Sequence, residues 1–482
     1  MALPREFTVE IEAGLGADAL VTEPEELRTY ECDGLTGHRQ APALVCLPRS
    51  TAEVQAVVQA CAAHGVPFVA RGAGTGLSGG ALPVADGIVI SLARMNRVLS
   101  VDLDAERVTV QPGVTNLEVT EAVAAEGLYY APDPSSQQVC TIGGNLAENS
   151  GGAHCLKHGF TVNHVVGLEL VLPDGQVTRL DASDPGPDLL GVLVGSEGTL
   201  GIATEVTLRV LRRPEAVVTL LGAFDSTDAA GAAVSGIVAA GILPSAVEMM
   251  DRLTIEAAEA AVHAGYPAGA SAVLIVELDG AAAQVEEDAL AVRDVCEHHG
   301  AFELRVATDE VERALLWKGR KSAFGAYGRV SPAYMVMDGV IPRTKLPYVL
   351  GRVNAIAAAH GLRVGNVFHA GDGNLHPNIL YDPRKPGEEA RVVAAGAEIL
   401  KVCAEVGGSI SGEHGIGLEK ADYMPFIFSE ADLACMKMVK DAFNPVGNCN
   451  PGKIFPSNKA CVEVGPAYRP HPIEEKGLAQ RF

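Results

Sequence analysis

Glycine is the residue that most constrains this chain. There are 53 in 482 residues, where ordinary usage of about 7% predicts roughly 34. They follow no collagen-like period, and they cluster. Five fall in 71–80, five in 143–159, three in 195–201, two in 371–373 and five in 407–417. A chain that places its glycines this way builds several loops in which backbone comes close to other atoms, because glycine has no Cβ to keep them apart.

The first cluster, Arg71-Gly72-Ala73-Gly74-Thr75-Gly76-Leu77-Ser78-Gly79-Gly80, follows an apolar strand at 66–70. Gly74-x-Gly76-x-x-Gly79 satisfies the dinucleotide fingerprint formally, but that motif requires a helix to open at the loop and an acidic residue to end the next strand. Here Gly79-Gly80-Ala81-Leu82-Pro83 breaks any helix, and the next strand runs into Ala93-Arg94-Met95-Asn96. A nicotinamide site is therefore rejected. The consecutive unshielded N–H groups instead suit anionic oxygens such as a pyrophosphate. Pro132-Asp133-Pro134-Ser135-Ser136 with Thr141–Gly152, and Gly195–Ile202, share the texture. Small residues mixed with amides and hydroxyls suit close approach to a flat polar ring system.

The net charge of −23 argues against a nucleic-acid footprint and against direct docking on an anionic membrane. With 48% hydrophobic and 20% charged residues, the chain can bury a large core. No apolar run reaches the ~18 residues of a membrane span, and the N-terminus shows no signal-peptide h-region. The ten cysteines have no C-x-x-C spacing and read as buried reduced thiols of a cytoplasmic protein.

Periodicity predicts a helix capped by Ser50 and ended by Gly65, a hairpin about Pro173-Asp174-Gly175, and strands at 87–92, 98–103, 107–111 and 203–210. After the break at Arg212-Arg213-Pro214 the texture becomes alanine-rich. Helices are expected at 254–264, 281–299 and 351–360, and strands at 271–278, 301–306, 333–338, 364–369 and 378–381, which gives helices layered on a sheet.

A second chemistry-bearing constellation lies near the C-terminus. His369 and His376 flank a loop containing Gly371 and Gly373, so the chain can fold back and bring both imidazoles together. Glu413 would complete a two-histidine, one-carboxylate set suited to Zn²⁺, Mn²⁺ or Fe²⁺. In an extended segment its neighbour His414 would point the other way. Satisfied polar loop residues, or a zinc hydrolase built on the same three groups, are the competing readings. His154, Cys155 and His158 read as surface or packing residues.

The glycine segments, together with His369-Ala370-Gly371-Asp372-Gly373-Asn374-Leu375-His376, Gly412-Glu413-His414-Gly415 and Asn450-Pro451-Gly452-Lys453-Ile454-Phe455, resemble FAD-binding flavoproteins of the vanillyl-alcohol-oxidase (PCMH) type. The resemblance is strongest to the branch that holds the flavoprotein component of bacterial glycolate oxidase and the D-lactate or D-2-hydroxyacid dehydrogenases, over about 40–456. It implies an α+β fold: an FAD-binding domain in two α+β lobes (41–215) after an N-terminal segment (1–40), then a substrate or cap domain with an antiparallel sheet covered by helices (216–411). A segment returning to the flavin (412–456) and a tail (457–482) follow.

By that resemblance Arg71, Gly72, Ala73, Gly74, Thr75, Gly76, Ser78 and Gly79 hold the pyrophosphate. Pro132, Asp133, Ser135, Gly143, Gly144, Asn145, Ala147, Ser150, Glu197, Gly201, Ile202 and Asn450 line the rest of the FAD. The first loop carries no histidine, so the FAD is expected to be non-covalent. Oxidation of a 2-hydroxy acid needs a base, a carboxylate clamp and a polarising cation. His414, Arg320 and the metal set His369, His376 and Glu413 fill these roles, with Asn378 at a substrate-contact position. Phe324 and Val336 stand where 2-hydroxyglutarate-oxidising relatives place polar groups, which points to a small monocarboxylate, glycolate or D-lactate. The resemblance further implies a second flavoprotein subunit and an iron–sulfur subunit as partners, with attachment to the inner membrane through them. A D-2-hydroxyglutarate dehydrogenase, a non-redox flavoenzyme of the same fold and a catalytically silent component of a larger complex are the alternatives.

Overall fold

The computed structural model describes residues 3–456. Contacts divide it into two units. The first comprises the chain up to His154, His158–Arg213 and the segment from Glu413; the second comprises Cys155–Lys157 and Pro214–Gly412.

The first unit contains two sheets. One orders its strands Leu20–Val21, Leu44–Cys46, Ile88–Ser91, Phe68–Arg71, with the last three parallel. Against it packs the helix Thr51–His64, capped by Ser50 and closed by Gly65 in the left-handed conformation, as the sequence predicts. No helix lies between Phe68–Arg71 and Ile88–Ser91, which is why the glycine loop joining them is not a Rossmann turn. The other sheet is antiparallel and orders Val98–Asp102, Arg107–Val110, Ile202–Arg209, Val165–Val171, Val177–Asp181. Each sheet contributes to its own apolar core. The late segment rejoins this unit through backbone: Phe68 donates to Asn448 O at 2.9 Å and Asn450 donates to Phe68 O at 2.8 Å.

The second unit is built on one large sheet, whose main path runs Ala301–Val306, Ala216–Phe224, Ala272–Gly280, Ala246–Asp251, Arg363–His369, Asn374–Leu375, Gly339–Val340. Ala333–Val336 and Pro377–Tyr381 branch from Arg363–His369. Helices Thr227–Ala239, Arg252–Val262, Ala282–His298, Glu310–Ala326, Leu346–Ala359 and Glu388–Glu405 cover it.

Three expectations need correction. Ala216–Phe224 and Ala246–Asp251 are strands that periodicity did not mark. Residues 219–224 and 246–250 are buried without a break, so those stretches carry no apolar–polar alternation to read. The helix expected at 351–360 begins at Leu346 with proline in its first turn, where the missing N–H costs nothing. Cys435 is exposed, unlike the other described cysteines, none of which forms a disulfide. The expected tail, 457–482, lies outside the described residues. No helix among the described residues is long and apolar enough to cross a membrane.

Candidate functional site

In the first unit the glycine segments pack on one another. A Cβ on Gly72 would collide with the Thr141 hydroxyl, and one on Gly143 would lie 2.7 Å from the Pro112 side chain. Thr141 caps the helix Ile142–Glu148. Glu197 N donates to Ala147 O at 2.8 Å, and Leu418 N donates to Ser78 O at 2.9 Å. The Asn450 amide donates to Gly80 O and Glu197 O at 2.9 and 2.7 Å. Three sequence-distant loops and the late segment therefore form one assembly.

This assembly fits FAD on an observation of its own. None of the backbone N–H groups from Ala73 to Gly80 donates a hydrogen bond within the described residues, leaving a run of donors for phosphate oxygens. The buried Asn450 Oδ1 also has no partner among the described residues. Several residues assigned to the cofactor spend their side chains elsewhere. The Asn145 amide bonds Asn116 and Cys140. Asp133 pairs with His154 at 3.0 Å. Ser135 is exposed and Ile202 is core.

Glu197, which the resemblance places along the FAD, binds backbone with its side chain. It sits at φ +51, and its two carboxylate oxygens accept from Ile416 N and Gly417 N, each at 2.7 Å. Burial pushes its carboxyl up, opposed by those bonds and by Lys420 and Lys453. Burial, with Glu197 adding, holds Glu148 well above the usual carboxylate range. Burial pushes the Lys453 ammonium down to about 8, and it donates to Leu82 O at 2.8 Å. Lys420 carried no sequence signal, and Glu148 and Lys453 stood inside recognised motifs without a role of their own, since a charged residue is normally read as surface.

Glu413 and His414 belong to the first unit. Their segment is bent, with Gly415 at φ +86 and Gly417 at φ +50. The two side chains come within 3.9 Å, so the expectation that they point apart fails. It assumed an extended chain, and the glycines curl it.

In the second unit, Glu248 and His369 are opposite each other in the register of antiparallel strands. Their side chains therefore share a face, and Glu248 Oε1 lies 2.6 Å from His369 Nδ1. Glu248 Oε2 accepts from Arg320 Nε at 2.7 Å and pairs with its terminal nitrogen at 2.5 Å. The helix carrying Arg320 is pinned one and two turns earlier, where Trp317 Nε1 donates to Glu277 at 2.6 Å and Arg313 pairs with the same carboxylate at 3.4 Å. The His369 and His376 rings are 5.1 Å apart and near-perpendicular. Behind His376, Nδ1 lies 3.9 Å from Asp338 Oδ1, and the other Asp338 oxygen accepts from Ser411 Oγ and Gly412 N at 2.7 and 3.0 Å. Two imidazoles with carboxylates behind them suit a divalent cation. Phe324 packs on His376 at 6.0 Å. Asn378 donates to His376 O at 2.6 Å, and its buried Oδ1 has no partner among the described residues. Sequence reasoning missed Glu248 and Asp338, whose partners are distant in sequence.

The two-sheet unit with its glycine assembly defines an FAD-binding flavoprotein fold of the PCMH type. Residues 42–181 match the FAD binding domain model and 213–454 match the model of FAD linked oxidases, C-terminal domain. The chain is 50% identical over 459 residues to glycolate oxidase subunit GlcD of Escherichia coli, covering 95% of this chain and 92% of that one. It is 33% identical to a D-lactate dehydrogenase of Anaerostipes hadrus, covering 86% and 89%. The solved p-cresol methylhydroxylase shares the fold with a TM-score of 0.77 at 17% identity, covering 95% and 99%. The chain belongs to the FAD-linked oxidases and is an FAD-dependent oxidoreductase.

Proposed function

We propose that this chain oxidises glycolate or a small D-2-hydroxy acid such as D-lactate to the 2-oxo acid. The reaction class is oxidation of the CH–OH group of a 2-hydroxy acid. The observation that carries the narrower reading is the likeness to a glycolate oxidase subunit along nearly the whole of both chains. The apolar Phe324 ring beside His376 supports it, because a second substrate carboxylate would find no partner there.

In this reading His414 takes the hydroxyl proton; an imidazole titrates near working pH. The Arg320 edge not occupied by Glu248 receives the substrate carboxylate, and Asn378 orients the substrate. His369, His376 and Glu413 hold a divalent ion, which when bound polarises the hydroxyl. Arg71–Gly79, the 132–150 segment, Gly201 and Asn450 would hold FAD non-covalently; when bound it would supply a hydride acceptor for the α-hydrogen. Electrons leave to a non-oxygen acceptor, which we assign to an iron–sulfur partner subunit alongside a second flavoprotein subunit, with cytoplasmic placement and peripheral attachment. That relatives are named as a subunit supports this assembly.

Anaerobic titration of the purified flavoprotein tests the proposal. Glycolate or D-lactate is expected to bleach the oxidised flavin band within the mixing time of a cuvette. A flavin that stays oxidised with both, or that bleaches only with D-2-hydroxyglutarate, overturns it.

A further inference from the structure

We infer that Glu248 is a positioning residue that fixes the tautomer of His369 and the orientation of Arg320 together. The inference rests on the functional reading above for what the two side chains then do, but its geometry stands alone. One buried carboxylate, 1% exposed, meets the imidazole with one oxygen and the guanidinium with the other. An ionised carboxylate only accepts hydrogen bonds, and Oε2 accepts from the guanidinium. His369 must therefore carry its proton on Nδ1, which leaves the Nε2 lone pair as the only one available to a cation. The same carboxylate takes Nε and one terminal nitrogen of Arg320, which sets the plane of the guanidinium. The strand register holds Glu248 opposite His369, and Glu277 fixes the Arg320 helix through Trp317 and Arg313. Both partners thus reach Glu248 from rigid elements, one a strand and one a helix. Neither side chain can shift without moving the carboxylate on which the other depends.

Glu248→Gln makes the role visible, because it preserves shape and turns one acceptor into a donor. A glutamine has one acceptor oxygen and one donor nitrogen. The guanidinium can only donate, so the oxygen turns to Arg320 and the NH₂ faces His369 Nδ1. The imidazole must then accept at Nδ1 and carry its proton on Nε2, where it no longer offers a lone pair to a metal.

The test uses the flavin-loaded full chain after chelator treatment, labelled with ¹⁵N-histidine, with the His369 resonances identified by their loss in His369→Gln. Wild type is expected to show the Nδ1–H form and Glu248→Gln the Nε2–H form. Titration with Mn²⁺, followed by the EPR signal of the free ion, is expected to show affinity lowered about 10–100-fold in Glu248→Gln, and KM for the 2-hydroxy acid is expected to rise. A wild-type His369 in the Nε2–H form overturns the inference without any Glu248 variant. So does an unchanged tautomer with Mn²⁺ affinity within twofold of wild type. If no 2-hydroxy acid reduces the flavin, the functional reading fails and the tautomer result still decides the role of Glu248.

Discussion

His414→Ala is expected to lower turnover of glycolate or D-lactate by about 10²–10⁴-fold, the usual contribution of a positioned base, while the flavin content of the purified protein stays that of wild type. The separation follows from where the side chain sits. His414 lies on a bent loop between Gly412 and Gly417, and the FAD-type donors lie on the 71–80 loop, so truncating the imidazole removes a proton acceptor without disturbing those donors. Stopped-flow reduction by substrate, with flavin quantified by absorbance after denaturation, separates the two quantities. Reduction at an undiminished rate would remove His414 from the role of base.

Glu197→Leu is expected to destabilise the protein by about 3–5 kcal/mol, because two N–H groups lose their acceptor and each unmade buried bond costs about 1–3 kcal/mol. The lost bonds are those from Ile416 and Gly417 at 2.7 Å. The buried Lys420 also loses a neighbouring negative charge. Because this carboxylate holds the stretch of chain that follows His414, turnover should fall with stability, whereas Glu197→Gln, which keeps one acceptor oxygen, should lose less of both. Urea unfolding with and without saturating FAD measures the first effect. A Glu197→Leu midpoint equal to that of wild type would show that the two bonds contribute nothing.

The features legible in the sequence are those whose cause is local. Ser50 and Gly65 mark both ends of their helix because caps act within a turn. Pro173-Asp174-Gly175 forms the hairpin turn, with Gly175 at φ +84. The glycine loops were legible as close-approach sites, but much of what they approach is protein: Thr141, Pro112, Ser78 and Glu148. What could not be read depends on register. Nothing in Ala246-Val247-Glu248-Met249-Met250 tells that the glutamate faces a histidine 121 positions later. That partnership exists only once two strands are aligned, and a slip of one residue would turn the glutamate to the opposite face. Arg320 was legible as a buried-site arginine through the family resemblance alone; its carboxylate was not.

The discontinuity of the first unit has a consequence for how the protein is made. The chain up to Arg213 lacks the segment from Glu413 that pairs with Phe68 and caps the glycine assembly. About 200 residues separate the two, so at ~5–20 residues per second a ribosome needs about 10–40 s to supply the missing piece. During that interval the whole second unit emerges and can fold, while the cofactor-binding half waits with an open edge at Phe68–Arg71. Stalled nascent chains ending near residue 412 should therefore resist protease across 214–412 and be cut within the earlier half. Adding the remaining segment, rather than adding FAD, should be the event that closes it.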